Sequence, residues 1–362
     1  FVKYFDWGLL RLTFLIGLFG LITLYSAVIS ATPTPQKTLY FKQIIWYGIG
    51  MTGMVLCFLI NYKSLYRWSP AIYALCIVLL IYVLMMGKYV GGARRWLILG
   101  PISIQPSELV KIAVIISLAR YYSKFADTRG FSLRELLTPL LLTAIPFILI
   151  VRQPDLGTAM VVVLIAGFMT VFVKIERRSL LYIIVSCTIT GPLVWFLLKG
   201  YQKERILTFI NPNRDPLGAG YHIIQSKIAI GSGMIFGKGF LKGTQNALSF
   251  LPEQHTDFIF SVLAEEWGFV GSVIMLSLFF MLITWGLNIA YRCRDPFGTI
   301  LAVGLTAMMF WQVFINVGMA MGLMPIVGVT LPFISYGGSS IVSIRICVGL
   351  LMSISMRRFL IE

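Results

Sequence analysis

The sequence predicts an all-α polytopic membrane protein of about ten transmembrane helices, with one large extracytoplasmic loop between the seventh and eighth. Three observations predict this. Of 362 residues, 58% are hydrophobic and only 12% charged, and the mean hydropathy is +0.87. A soluble domain is about half apolar and a quarter charged. The apolar residues fall in runs long enough to cross a bilayer, and the connectors between them are short except for one of some fifty residues. This pattern excludes a water-soluble enzyme, a disordered chain and a nucleic-acid binder. The whole of 1–362 is expected to form a single integral membrane domain, with 200–257 as the large loop within it.

A helix needs about 20 apolar residues to cross a hydrocarbon core of roughly 30 Å. Runs of that kind lie at 8–31, 42–61, 69–87, 105–122, 137–151, 157–173, 179–199, 258–290, 299–323 and 337–356. The first exceeds twenty residues, whereas a signal-peptide core has roughly 7–15, so it is read as a membrane helix. Backbone at membrane depth must satisfy its own hydrogen bonds, which predicts a helical bundle and not a barrel. The five cysteines are scattered and form neither a disulfide framework nor a metal-ligand spacing. There is no internal repeat of solenoid length.

Ten crossings put both termini on one side, and charge sets which. With the N-terminus inside, the inner segments carry Lys3, Lys63, Arg67, Lys124, Arg129, Arg134, Lys174, Arg177, Arg178, Arg292, Arg294, Arg357 and Arg358. The short outer loops carry only Lys37, Lys42, Lys88, Arg94, Arg95 and Arg152. The bias places both termini in the cytoplasm. It also helps to explain the net charge of +16, because cationic loops face anionic lipid. Arg94 and Arg95 lie outside against the rule, as do Lys203, Arg205, Arg214, Lys227, Lys238 and Lys242 of the long loop. They form either solvated surface or a cationic outer face that receives an anionic, phosphorylated ligand. Aliphatic and aromatic residues throughout 200–257 mark an ordered loop. Tyr221, Ile224 and Ile228 within it are spaced for one face of an interfacial helix.

Ionisable groups in membrane spans are candidate functional residues. Glu108 and Lys111 stand three apart and face one way, as a structural ion pair or as cavity lining. Asp155, beside Arg152 and Gln153, opens the sixth helix as a cap or as part of a site. Asp257 precedes the eighth helix, with the same two readings open; it closes the cationic loop beside His255, one of only two histidines. Glu265 and Glu266 lie deeper and are expected in a buried network. His222 and His255 are too few for zinc; a carboxylate-bound divalent cation stays open, with no ligand spacing that points to it, and no other cofactor is assigned. The Pro/Gly-interrupted segment MPIVGVTLPFISYGGSS is either a loop or the lining of a cavity.

Five strings, ARRWLILGPISIQPSE, QPDLGT, DPLGAGYHIIQSKIAIGSG, LPEQHTDFIFSVLAEEWG and LPFISYGGSS, occur in this order. Together they resemble the SEDS family (shape, elongation, division and sporulation proteins), over nearly the whole chain. The wording is closer to the family's elongation members than to its division members. The resemblance implies a ten-helix enzyme of the bacterial inner membrane that polymerises lipid II into peptidoglycan strands, displacing undecaprenyl diphosphate with inversion. It implies a class B penicillin-binding protein transpeptidase (penicillin-binding protein 2 type) and elongation-complex proteins as partners, and an extracytoplasmic active site. The family's essential loop acid falls on Asp257, its QPSE glutamate on Glu108 with Lys111 on the same helix, and the arginine of its RW pair on Arg95. Asp257 is thereby the candidate base, with Arg95, Glu108, Lys111, Arg152, Asp155 and His255 as substrate-binding candidates. A lipid II flippase and a non-enzymatic scaffold are the alternatives. The chain departs from the family after GGSS, where IVSIRICVGLLMSIS puts Arg345 more than a turn inside the last helix.

Overall fold

The computed structural model describes residues 5–29, 37–90, 93–99, 102–125, 130–197, 200–215, 218–248, 250 and 253–357. Helices occupy each of the ten apolar runs: α1 (Trp7–Ile29), α2 (Lys37–Leu59), α3 (Tyr62–Met86), α4 (Pro106–Lys124), α5 (Leu133–Arg152), α6 (Leu156–Phe172), α7 (Arg177–Leu197), and, after the long loop, α11 (Ile259–Arg292), α12 (Pro296–Ala320) and α13 (Gly338–Arg357). The loop itself holds α8 (Gly200–Ile210), a 3-10 turn (Pro212–Arg214), α9 (Ala219–Ser232) and the single turn α10 (Thr244–Ala247). Among the described residues seven helices are long and apolar enough to cross a membrane: α1, α2, α3, α5, α11, α12 and α13. At 17 residues α6 is a shorter apolar helix. The chain is an integral membrane protein.

The core gathers around α4, α12 and α13. Along α4 nearly every residue from Pro106 to Ala119 is buried, because α3, α5, α6, α12 and α13 all pack on it. Its Glu108, Lys111, Arg120 and Lys124 set it apart from the lipid-compatible helices, and encirclement by neighbours keeps Glu108 and Lys111 out of hydrocarbon. α13 runs along α2 at a separation set by Gly349, where a Cβ would come within 2.3 Å of the Met54 carbonyl oxygen. Small residues at such crossings let membrane helices approach closely.

Two features qualify the sequence expectations. Strands appear where an all-α chain was expected: β1 (Lys88–Val90), β2 (Ala93–Leu99) and β3 (Ile102–Ile104) form an antiparallel sheet in the order β1-β2-β3. Leu97 pairs with Ile104 and Lys88 with Trp96. The strands are too short for alternation to register in a hydrophobic sequence, and each is fixed by its antiparallel pairing with its neighbour. Secondly, α9 forms and buries a stripe of Ile223, Ser226 and Ala229 against the protein, while Ile228 of the Tyr221, Ile224 and Ile228 face is exposed. The helix packs on α11, and the Ser226 hydroxyl shares a 2.6 Å hydrogen bond with the Ser261 hydroxyl and donates at 2.5 Å to the Ala320 carbonyl. Its orientation follows these polar anchors.

α11 is broken at Gly268, whose φ of 65° and ψ of −160° are non-helical. The groups freed by the kink are met by the loop. Lys238 N and Gly239 N donate to the Glu265 and Glu266 carbonyls at 3.0 Å, and Phe269 N and Val270 N donate to Met234 and Ile235 at 2.8 and 3.1 Å. A Cβ on Gly268 would stand 2.3 Å from Gly237 N, so this approach requires glycine. Glu265 lies fully buried behind it and accepts from Lys238 Nζ (2.7 Å), Thr244 N (2.8 Å) and Gln245 N (3.1 Å). Glu266 accepts from Ser26 of α1. The two acids form the expected buried network.

Gly349→Val is expected to lower the thermal midpoint of the detergent-solubilised protein, by overpacking worth about 1–3 kcal/mol. Gly167→Ala, in α6 with open space around it, should leave the midpoint unchanged or raise it, since alanine is the better helix former.

Candidate functional site

A cavity of about 480 Å³ opens where β2, the starts of α4 and α6, the end of the long loop and the 328–340 segment converge. Each segment delivers its side chains for a local reason. The Pro106 ring starts α4, placing Glu108 in its first turn and Lys111 one turn deeper, facing the same way. Lys111 Nζ donates to Glu108 Oε1 at 2.7 Å, and Ser343 Oγ of α13 donates to Glu108 Oε2 at 2.9 Å. Both charges are buried, so the structural pairing and the cavity lining, open alternatives in the sequence, hold together.

Asp155 likewise does both things. It caps α6, Oδ1 accepting from Thr158 N at 3.3 Å, while Oδ2 accepts from Gln105 Nε2 at 2.8 Å and the residue lines the cavity. Arg95 comes from β2. Its Nε donates to the Gln153 carbonyl at 3.1 Å and its Nη2 to the Pro154 carbonyl. The guanidinium is therefore held by the turn that precedes Asp155.

Asp257 does not cap α11: the N-cap is Phe258, which makes no side-chain capping bond. Its backbone is fixed instead. Asp257 N donates to the Glu253 carbonyl at 3.1 Å, and Asn316 Nδ2 of α12 donates to the Asp257 carbonyl at 3.0 Å and to Val329 O at 2.7 Å. The side chain faces Gly328, where a Cβ would stand 3.5 Å from Asp257 Oδ2. Burial pushes its carboxyl up to about 6; Glu253 and Asp155 add to the rise, and Arg205 and Arg95 oppose it. The group is thus protonated below about pH 6 and ionised above it, close to the pH at which a base must exchange a proton.

The structure brings Arg95, Glu108, Lys111, Asp155 and Asp257 to one cavity and leaves two predicted residues off its lining. Arg152 occupies the last turn of α5, where a cation complements the helix dipole. The His255 ring packs against Tyr336 and its Nε2 lies 4.0 Å from Glu253 Oε2, while burial lowers its pKa. The described lining carries four acids, Glu108, Asp155, Glu253 and Asp257, against the cations Arg95 and Lys111; the loop cations lie outside it. Among the described residues no group of three or more His, Cys, Asp or Glu side chains could hold a metal ion.

Sequence reasoning missed Glu253, Gln312 and Asn316 and did not single out Arg205. Gln312 lines the cavity and Asn316 orients Asp257. Two amides four apart in an otherwise apolar helix were the available signal, since such groups are costly in a span unless used. The segment 324–340 proves to be cavity lining: Gly328, Val329, Thr330 and Tyr336 to Ser340 all border the space.

The FtsW/RodA/SpoVE family, described as "Cell cycle protein", matches residues 6–359. The chain is 42% identical over 347 residues to the peptidoglycan glycosyltransferase MrdB of Escherichia coli K12, covering 96% of this chain and 93% of that one. It is 35% identical to the peptidoglycan glycosyltransferase RodA of Treponema pallidum, over 99% of both. Among solved structures it is similar to a chain from a study of polymerization and crosslinking by a peptidoglycan synthase complex (TM-score 0.83, 33% identity, 98% of both chains). It is also similar to the rod shape determining protein RodA of Thermus thermophilus (TM-score 0.72, 30% identity, 98% of both).

Lys111→Met, which strands the buried Glu108 carboxylate, is expected to destabilise the protein by about 3–5 kcal/mol, and the double variant Glu108→Gln/Lys111→Met to recover most of that loss. Thermal melts of the single and double variants check this.

Proposed function

The chain belongs to the FtsW/RodA/SpoVE family of cell cycle proteins, and from that premise we propose that it is a peptidoglycan glycosyltransferase that polymerises lipid II into glycan strands during cell elongation. The observation that carries the mechanism is the placing of Asp257, a partly buried acid with a pKa near 6, in one cavity with Arg95 and Lys111. A hydroxyl of the acceptor sugar attacks the anomeric carbon of the donor, and the bond to the lipid diphosphate breaks. Asp257 accepts the hydroxyl proton. The diphosphate leaves as a weak base, so the second carboxylate acid of glycosidases is not required. A base on the face opposite the leaving group gives inversion.

Arg95 stabilises charge developing on the diphosphate, and its two bonds to the 153–154 carbonyls hold it ready before substrate arrives. Lys111 adds positive charge deeper in the cavity, oriented by Glu108. Asp155 and Gln105, hydrogen-bonded to each other, form part of the cavity wall. Arg152 and His255, off the lining, are assigned no contact with the reacting groups.

The ten helical runs are each read as a crossing of the bacterial inner membrane, with both termini cytoplasmic and the cavity extracytoplasmic, as the Lys/Arg bias of the short loops indicates. The lipid tail of the substrate lies in a groove between helices. A class B penicillin-binding protein transpeptidase of the penicillin-binding protein 2 type crosslinks the strands, within the elongation complex. The similarity to a chain of a peptidoglycan synthase complex supports such a partnership.

Purified protein, alone and with its transpeptidase, should convert lipid II to glycan strands, and Asp257→Asn should lose about 10²–10⁴ of that rate with its thermal midpoint unchanged. Strands from the mutant at the wild-type rate would remove Asp257 as base. Absence of strands from the wild type even with the partner would put the flippase or scaffold ahead. A base must be ionised to act, so the rate should fall as the pH drops through about 6 and level off above it, and a pH–rate profile reads that limb directly.

A further inference from the structure

Arg345 is the largest fully buried side chain among the described residues, and it lies within α13, a helix apolar enough to cross a membrane. Its Nε and Nη1 have no hydrogen-bond partner, and no carboxylate stands within ion-pair distance of it among the described residues. What it has are two aromatic faces. The guanidinium carbon lies 5.3 Å from the centroid of Tyr47 and 5.3 Å from that of Phe333. Two glycines leave it room: a Cβ at Gly17 would come within 3.1 Å of its Nη2, and one at Gly50 within 3.0 Å of its Cγ. A buried cation with no counter-charge is costly in a membrane, and such residues mark function by default. Attraction to aromatic faces strengthens on desolvation, but it does not replace a carboxylate.

The rings it holds explain the placement. Phe333 has a φ of 63°, a backbone conformation that a bulky side chain rarely adopts and that persists only where surroundings enforce it. Tyr47 Oη donates to the Phe333 carbonyl, so the two rings and the guanidinium clamp one strained residue from both its side chain and its backbone. From there the connections lead to the cavity. Leu331 N donates to Ser335 Oγ at 2.8 Å, Ser335 Oγ donates to the Thr256 carbonyl at 2.6 Å, and Tyr336 N donates to the His255 carbonyl at 2.8 Å. Thr256 and His255 immediately precede Asp257.

We propose that Arg345 is a positioning residue: by clamping Phe333 between α2 and α13 it holds the 331–336 turn, and through that turn it sets the 255–257 backbone and the aim of Asp257. It touches no substrate. The proposal rests on Asp257 being the base for its effect on turnover, but not for its effect on the turn.

The test therefore has a readout besides activity. Burying a cation without a counter-charge is costly, and Arg345→Met removes that cost, so it should keep or raise the thermal midpoint, where a purely structural strut would lower it. It should nevertheless speed amide hydrogen exchange in peptides covering 331–336 and 255–257, leaving α4 and α12 at wild-type rates. Turnover of lipid II should fall about 10- to 100-fold, the size expected when a reacting group is displaced by an ångström or so, with KM within about twofold. Arg345→Lys, which keeps the charge without the flat face, should fall between. Unchanged exchange in the two segments, exchange raised across all helices, or wild-type turnover in Arg345→Met would each overturn the proposal. If Arg345→Met does not fold, Arg345→Lys must show the same localised exchange, and wild-type exchange there overturns the proposal instead. Were the wild type to make no strands, the functional reading would fail while exchange still decided the clamp.

Discussion

The pairing of Lys111 with Glu108 inside the bundle is the interaction on which the arrangement depends. Two opposite charges one turn apart on α4 cannot face hydrocarbon, and at 2.7 Å they satisfy each other only while neighbouring helices exclude lipid. That requirement makes α4 the central helix, ringed by α3, α5, α6, α12 and α13. It also recruits Ser343 from α13 to the second glutamate oxygen. The encirclement brings the starts of α4 and α6 and the 328–340 segment to a common end, and the cavity is the space left between them.

The cavity is polar because the backbone around it is irregular, and the irregular backbone is tolerated because it is tied down. Asn316 bonds the carbonyls of both Asp257 and Val329, Ser335 reaches Thr256, and Arg95 holds the 153–154 turn. Each tie is a side chain from one element gripping the main chain of another. The acid at the centre keeps its proton to a higher pH than a solvated aspartate, chiefly because burial disfavours its charged form. A side chain that must cycle between protonated and ionised forms gains from this: its basic form is present near neutrality and is neither trapped by a close cation nor fully solvated.

The loop between α7 and α11 belongs to the same construction. Its 234–239 stretch closes the break in α11 at Gly268 by backbone pairing, and Glu265 gathers Lys238, Thr244 and Gln245 around one carboxylate oxygen. Long though it is, the loop is anchored to membrane helices at several points, and it delivers Asp257 to the cavity from a fixed base.

The ten helical runs, the interest of Glu108, Asp155 and Asp257, and the order of the motifs were legible in the sequence because hydropathy and the cost of charge in a span are local properties. The resemblance to a family added Arg95 and the role of Asp257, which composition and spacing do not assign. The three strands were not legible because they are too short for alternation to register; the buried face of α9 and the kink at Gly268 were not, since each is settled by a partner distant in the chain. The same holds for Arg152 and His255: each sits near a site residue in sequence, yet one occupies the last turn of α5 and the other packs on Tyr336. Arg345 shows the division best. Its cost in a membrane helix is evident from the sequence, but the tertiary structure alone decides that two aromatic faces and a strained turn surround it, because no local rule relates residues 47, 333 and 345. Burial energetics act residue by residue, and so mark in the sequence which segments must be helical and which residues are too costly to be idle. Only the packing of those helices decided which of the costly residues share a cavity.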